Sequence, residues 1–195
     1  VSPAQLHTFA NHPFHVRKDM EMNELVDSIR ESGVIVPLIV RTRPEGGYEI
    51  ISGHRRCEAC RELGIEKIPV RVQELTDDEA TIIMVDSNIQ REDILPSEKA
   101  KAYFMKYEAV KHQGKKGKGN SLDEVGETAG ESAKTVQRYI YLAHLSDALL
   151  DMVDKKKIGI VQGVELSFLT EQQQEWVQVV LEETGVIIST VQASR

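Results

Sequence analysis

Glu49-Ile50-Ile51-Ser52-Gly53-His54-Arg55-Arg56-Cys57-Glu58-Ala59-Cys60 joins two patterns. An apolar, strand-like run stops at Ser52-Gly53, and a helix-like run opens with His54, Arg55 and Arg56. A strand entering a helix through a glycine turn points to a mixed α/β domain. The junction is also a candidate anion site. Free backbone N–H groups, the helix dipole and two guanidinium forks would converge on one charge there. The competing reading is a surface helix whose arginines pair with Glu58 and Glu62. Cys57 and Cys60 have no second pair of metal ligands, so they read as small apolar residues packed into the core.

The flanking chain extends the α/β order. Pro13-Phe14-His15-Val16-Arg17, with His12 before it, reads as an extended arm with a strand start. Leu25, Val26 and Ile29 share one helical face over residues 23–32, and Gly33 is the stop. Val34-Ile35-Val36-Pro37-Leu38-Ile39-Val40 reads as a buried strand, with pairing from Pro37. Pro44-Glu45-Gly46-Gly47 is a turn and Tyr48–Ile51 the returning strand. The arginine-bearing helix runs to Leu63 with Gly64 as its stop. Ile68–Val72 is a further strand.

Beyond Thr76 the pattern is helical. Thr76-Asp77-Asp78-Glu79, Ser121-Leu122-Asp123-Glu124 and Thr170-Glu171-Gln172-Gln173 have capping-box spacing. Helices are expected from Thr76 toward Asn88, from Pro96 to Lys111, and over 147–155, 160–168 and 170–183. In the last of these, Trp176, Val177, Val180 and Leu181 form an aliphatic seam that is core or partner-facing. Residues 121–142 carry a helix-turn-helix pattern. Counted from Leu122, Val125, Gly126, Ala129, Gly130, Val136 and Tyr139 occupy positions 4, 5, 8, 9, 15 and 18, respectively. Gly126 permits close helix approach and Gly130 a positive-φ turn. Ser132, Lys134, Thr135, Gln137 and Arg138 avoid the buried positions and are candidate DNA contacts, with Gln suited to adenine and Arg to guanine. Lys115, Lys116 and Lys118, in a basic glycine-rich loop, are candidate phosphate contacts, as are Lys155–Lys157. An ordinary helical hairpin with solvated polar residues is the alternative.

The charge distribution agrees with this placement. The 195 residues carry a net charge of −7, which argues against a wholly basic nucleic-acid binder. Residues 97–145 alone are positive, with 9 Lys/Arg against 6 Asp/Glu. No apolar run approaches the roughly 20 residues needed to span a bilayer. With no signal-peptide pattern and only two cysteines, a cytoplasmic setting is expected. The chain starts at Val1, so it is expected to be a piece of a longer protein.

Four blocks resemble the ParB-type chromosome and plasmid partition proteins. Pro13–Arg17 resembles the family's first box, and Gly33-Val34-Ile35-Val36-Pro37 its Gly-Val-Leu-Gln-Pro stretch. Gly53-His54-Arg55-Arg56-Cys57-Glu58-Ala59 resembles its Gly-Glu-Arg-Arg-x-x-Ala box. Asn88-Ile89-Gln90-Arg91-Glu92-Asp93 resembles the tail of a further box, with Ser87 standing where a Glu is usual. The helix-turn-helix follows in its expected place. The fold implied is α+β: a small mixed-sheet ParB/sulfiredoxin-like domain over 1–96, then an all-α DNA-binding domain over 97–195. Sulfiredoxins carry a catalytic Cys where Gly53 stands, which counts against sulfinic-acid repair.

The resemblance implies CTP and Mg²⁺ as cofactors. Gly53, His54, Arg55 and Arg56 would cradle the triphosphate, with Arg17 and the Gly33–Pro37 turn bordering the nucleotide. Asn88 would help hold Mg²⁺, and Arg91 would reach phosphate. The implied partners are double-stranded DNA, a second copy forming a homodimeric clamp, and a ParA-type ATPase. The implied location is a bacterial cytoplasm, on nucleoid or plasmid, and no membrane is implied. A C-terminal dimerisation region is expected beyond the chain. Ser87 cannot supply a carboxylate, so hydrolysis is expected to be weak or absent. His54 is expected to titrate near neutral pH. Two further classes stay open: a nucleoid-occlusion or mobile-element regulator with a vestigial pocket, and a nuclease or kinase on the same fold.

Overall fold

The computed structural model describes residues 1–113 and 121–185. The chain forms two compact units that divide after Ser87. Among the described residues no helix is long and apolar enough to cross a membrane.

The first unit is built on a four-stranded mixed sheet. Its strands are β1 (Leu6–His7), β2 (Leu38–Thr42), β3 (Tyr48–Ser52) and β4 (Val70–Val72). Their order is β1-β3-β2-β4. The central pair β2/β3 is antiparallel, with Val40 opposite Ile50, and β1 and β4 flank it in parallel. Helices α1 (Met20–Ser32), α2 (His54–Glu62) and α3 (Asp77–Asp86) complete the unit. Met22, Val26 and Ile29 of α1 meet Leu38, Val40 and Ile50 of the sheet in one aliphatic core. Cys57, Ala59 and Cys60 of α2 are buried in that core, as the sequence led us to expect. Burial pushes both thiols up, so neither favours the reactive thiolate.

Three strand and helix boundaries differ from the sequence reading. The first strand lies at Leu6–His7, not in residues 12–17, where Phe14 is buried from a loop. Helix α1 starts at Met20 because Asp19 caps it, its side chain accepting from the Met22 N–H. Strand β2 starts only at Leu38, whose N–H donates to the Pro69 carbonyl. Ile35 and Val36 are exposed, not part of a buried strand. The missing Pro37 N–H ends the ladder there.

The second unit holds α4 (Pro96–His112), α5 (Ser121–Glu127), α6 (Ala133–Leu142), α7 (Asp147–Asp154), α8 (Ile160–Leu166) and α9 (Glu171–Thr184). Leu142, Leu149, Leu150, Ile158 and Leu166 anchor its core. The division falls ahead of the expected boundary at residue 96, since Gln90 donates to the Thr128 carbonyl at 2.7 Å. The seam of α9 splits. Leu181 and Val177 pack inward, while Trp176 and Val180 are exposed.

Candidate functional site

Strand β3 delivers the chain to Gly53, which caps α2 with φ +107°. A Cβ there would lie 2.8 Å from Leu38 Cγ and 3.1 Å from an Arg56 Nη. Both the backbone conformation and the space therefore require glycine. This turn opens α2 and places His54, Arg55 and Arg56 in its first turn.

The three side chains diverge, because consecutive helical residues are rotated by about 100°. Arg55 Nη2 donates to Asp19 Oδ1 at 2.9 Å, and Nη1 donates to Glu21 Oε2 at 3.1 Å. Arg56 donates to the Val36 carbonyl and, at 3.1 Å, to the Pro37 carbonyl. Burial pulls its guanidinium below the ordinary value. The arginines thus grip protein groups, neither Glu58 nor Glu62, and do not converge on one point.

His54 corrects a further expectation. Its ring lies 3.9 Å from that of His12, centroid to centroid, and its Nε2 is buried without a hydrogen-bond partner. Burial first, then the His12 and Arg61 charges, lower its pKa to about 3. The imidazole is neutral near neutral pH and presents an unsatisfied nitrogen at the start of α2. His12 is fixed from the other side, its Nδ1 donating to the Phe14 carbonyl at 2.7 Å. Arg17 is half-buried in the same connection, and Gly33 ends α1 with φ +68°.

Asn88 and Arg91 belong to the second unit. The Arg91 N–H donates to the Asn88 carbonyl at 3.1 Å, and its side chain pairs with Asp93 at 3.3 Å. Ser87 Oγ donates to the Met84 carbonyl at 3.0 Å. Among the described residues no cluster of three or more His, Cys, Asp or Glu is arranged to hold a metal.

The helix-turn-helix is α5 and α6. Gly130 adopts φ +66° in the turn. A Cβ at Gly126 would lie 2.3 Å from the Glu131 carbonyl oxygen, so the turn folds back against α5 only with glycine there. Val136 is fully buried; Tyr139 is half-buried, and Ile140 closes the core beside it. Ser132 caps α6, accepting from the Thr135 N–H at 3.2 Å. Lys134, Gln137 and Arg138 are exposed along α6, with Thr135 half-exposed beside them. Gln137 Nε2 donates to the Tyr141 hydroxyl at 3.2 Å. Lys115, Lys116 and Lys118 lie outside the described residues.

A polar network beneath the turn has no counterpart in the sequence reading. Glu131 accepts from Lys99 and, at 3.0 Å, from the Tyr103 hydroxyl. The buried Lys106 donates to the Val125 carbonyl at 3.2 Å. Their spacing in α4 is helical, yet nothing local in the sequence tells which polar residue turns inward.

Residues 1–89 match the family model described as the ParB N-terminal domain. The chain is 32% identical over 175 residues to the chromosome-partitioning protein Spo0J of Thermus thermophilus, covering 89% of this chain and 61% of that protein. It is 32% identical over 147 residues to a nucleoid occlusion protein of Halalkalibacterium halodurans, covering 75% of this chain and 49% of the relative. The chain therefore spans only about half to three fifths of the length of these relatives. The fold is shared with a C-terminally truncated Caulobacter crescentus ParB complexed to the centromeric parS site. That likeness has a TM-score of 0.52 at 19% identity, covering 99% of this chain and 95% of that one. With a ParB sheet domain leading into a helix-turn-helix, and relatives alike across most of its length, this chain belongs to the ParB-type family of partition proteins.

Proposed function

We propose that the chain binds a specific, centromere-like DNA site through α6, and CTP at the start of α2. CTP binding would promote closure of two copies into a clamp on the duplex, in the service of chromosome or plasmid segregation. The exposed Lys134, Gln137 and Arg138 on a helix whose turn is fixed by Gly126 and Glu131 carry the DNA reading. Both Gln and Arg can pair base edges in the major groove, while Ser132 and Thr135 suit the adjoining backbone.

The first turn of α2 fits a triphosphate in three respects. Gly53 permits the tight turn into the helix, the helix start supplies N–H donors, and the buried His54 Nε2 has no protein partner. Arg55 and Arg56 supply charge, and Arg17 and the turn after Gly33 would border the nucleotide. The family resemblance assigns Asn88, at the start of the second unit, to the magnesium ion and Arg91 to phosphate. The ion, bound with the nucleotide, would neutralise phosphate charge. Weak or absent hydrolysis is expected, since Ser87 brings no carboxylate.

Titration of CTP, ATP, GTP and UTP with Mg²⁺, with and without selected DNA, tests this reading. A CTP preference supports it, and equal or absent binding of all four sinks the clamp. Arg56→Ala should weaken CTP at least about tenfold while DNA binding persists, in line with the loss of a charge-assisted contact. A second reading, a nucleoid-occlusion regulator with a vestigial pocket, is favoured by the Ser87 hydroxyl, which turns back onto Met84. DNA binding wholly indifferent to nucleotide would support that reading instead. A ParA-type ATPase is a further partner to test by co-purification.

A further inference from the structure

Two of the five N–H donors of Arg55 are already taken. Both terminal nitrogens donate to carboxylates, Nη2 to Asp19 and Nη1 to Glu21. A phosphate that gripped the guanidinium end-on through these same two N–H groups would have to remove them. Asp19 Oδ1 also accepts from the Met22 N–H at 2.8 Å, so the same oxygen that holds Arg55 caps α1. Arg55 is mostly buried at 19% side-chain exposure, and Asp19 is one-third exposed at 31%. Glu21 is exposed at 71% and adds the weaker contact.

We propose that Asp19 and Glu21 form a built-in competitor for Arg55, which an incoming polyphosphate displaces, releasing the N-cap of α1 as it binds. This rests on the nucleotide reading of the α2 start. The carboxylates keep the guanidinium paired, and oriented, while the site is empty of anion. The phosphate takes over the same two N–H groups, and Asp19 must then rotate away from the new negative charge. Met22 loses its side-chain acceptor in that movement. Ligand binding and the first turn of α1 are thereby coupled, and by linkage a looser first turn favours the ligand. Asp19 is held below the usual carboxylate range, first by the Met22 N–H and then also by Arg55, so it stays a charged competitor at neutral pH.

The test is calorimetric titration of CTP with Mg²⁺ into the chain and three variants. Asp19→Asn keeps a capping side chain but removes the charge. Glu21→Gln removes the outer contact, and Asp27→Asn is a control of equal charge change whose partner is the exposed Arg30. Asp19→Asn should bind CTP at least about fivefold more tightly. Glu21→Gln should gain less, and Asp27→Asn nothing. In the parent, the Met22 amide should exchange faster with CTP bound. If the parent binds CTP but Asp19→Asn binds no more tightly, the competitor idea falls and the nucleotide site stands. Met22 exchange that CTP leaves unchanged would likewise overturn the competitor while sparing the site. If neither the parent nor Asp19→Asn binds CTP, both fall together.

Discussion

His54 shows how far an environment moves a single side chain. By type and position it is an exposed, titrating residue at a helix start. In the fold it lies against His12 and holds a pKa of about 3 through burial, with the His12 and Arg61 charges adding to that effect. The folded value lies below the ordinary 6.5, so between the two the unfolded chain binds the extra proton. Stability is therefore lost as pH falls from about 6.5 toward 3, by at most about 1.4 kcal/mol per pH unit from this one group. His54→Gln should flatten that limb. Urea midpoints across the range would show it, and an unchanged slope would mean that His54 is not the group concerned.

The helix-turn-helix depends on a contact that no propensity encodes. Gly126 lies inside α5, where glycine costs helix stability, yet the Glu131 carbonyl leaves no room for a methyl group. Gly126→Ala should destabilise the second unit by about 1–3 kcal/mol. Thermal or urea unfolding would report it. An Ala variant as stable as the parent would show that the turn relaxes without cost. Lys99, Tyr103 and Lys106 hold the same turn from α4, which explains why α4 buries polar side chains in an otherwise aliphatic unit. The capping boxes at Thr76 and Thr170 are legible in sequence because each is a four-residue pattern closed within itself, and both form. The Asp19 cap is harder to read. Asp before an apolar helix is a start signal, but the periodic face becomes clear only from Leu25.

Across the whole chain, an acidic protein would contact DNA through one positive segment, residues 97–145. Its affinity should fall steeply with salt. Replacing Lys115, Lys116 and Lys118 with Ala should lower the slope of log K against log salt by up to about 3, weakening all sequences alike. A change confined to the specific site would instead give these lysines a role in base recognition. The order of patterns along the chain is enough to foresee a mixed sheet followed by helices. Strand–glycine–helix junctions, capping boxes and the helix-turn-helix spacing are local, and local steric and hydrogen-bonding rules read them directly. Gly53, Gly126 and the exposed face of α6 are therefore visible in the sequence. What Arg55 and Arg56 touch is not. Asp19, Glu21, Val36 and Pro37 lie 19 to 36 residues away from them in sequence, and only packing brings them within reach. The same packing turns Ile35 and Val36 out to solvent and removes water from His54. The order of residues thus dictates which groups gather charge at the start of α2. Which of those charges are already answered is settled by the packed fold, because pairing depends on distance and burial rather than on position along the chain.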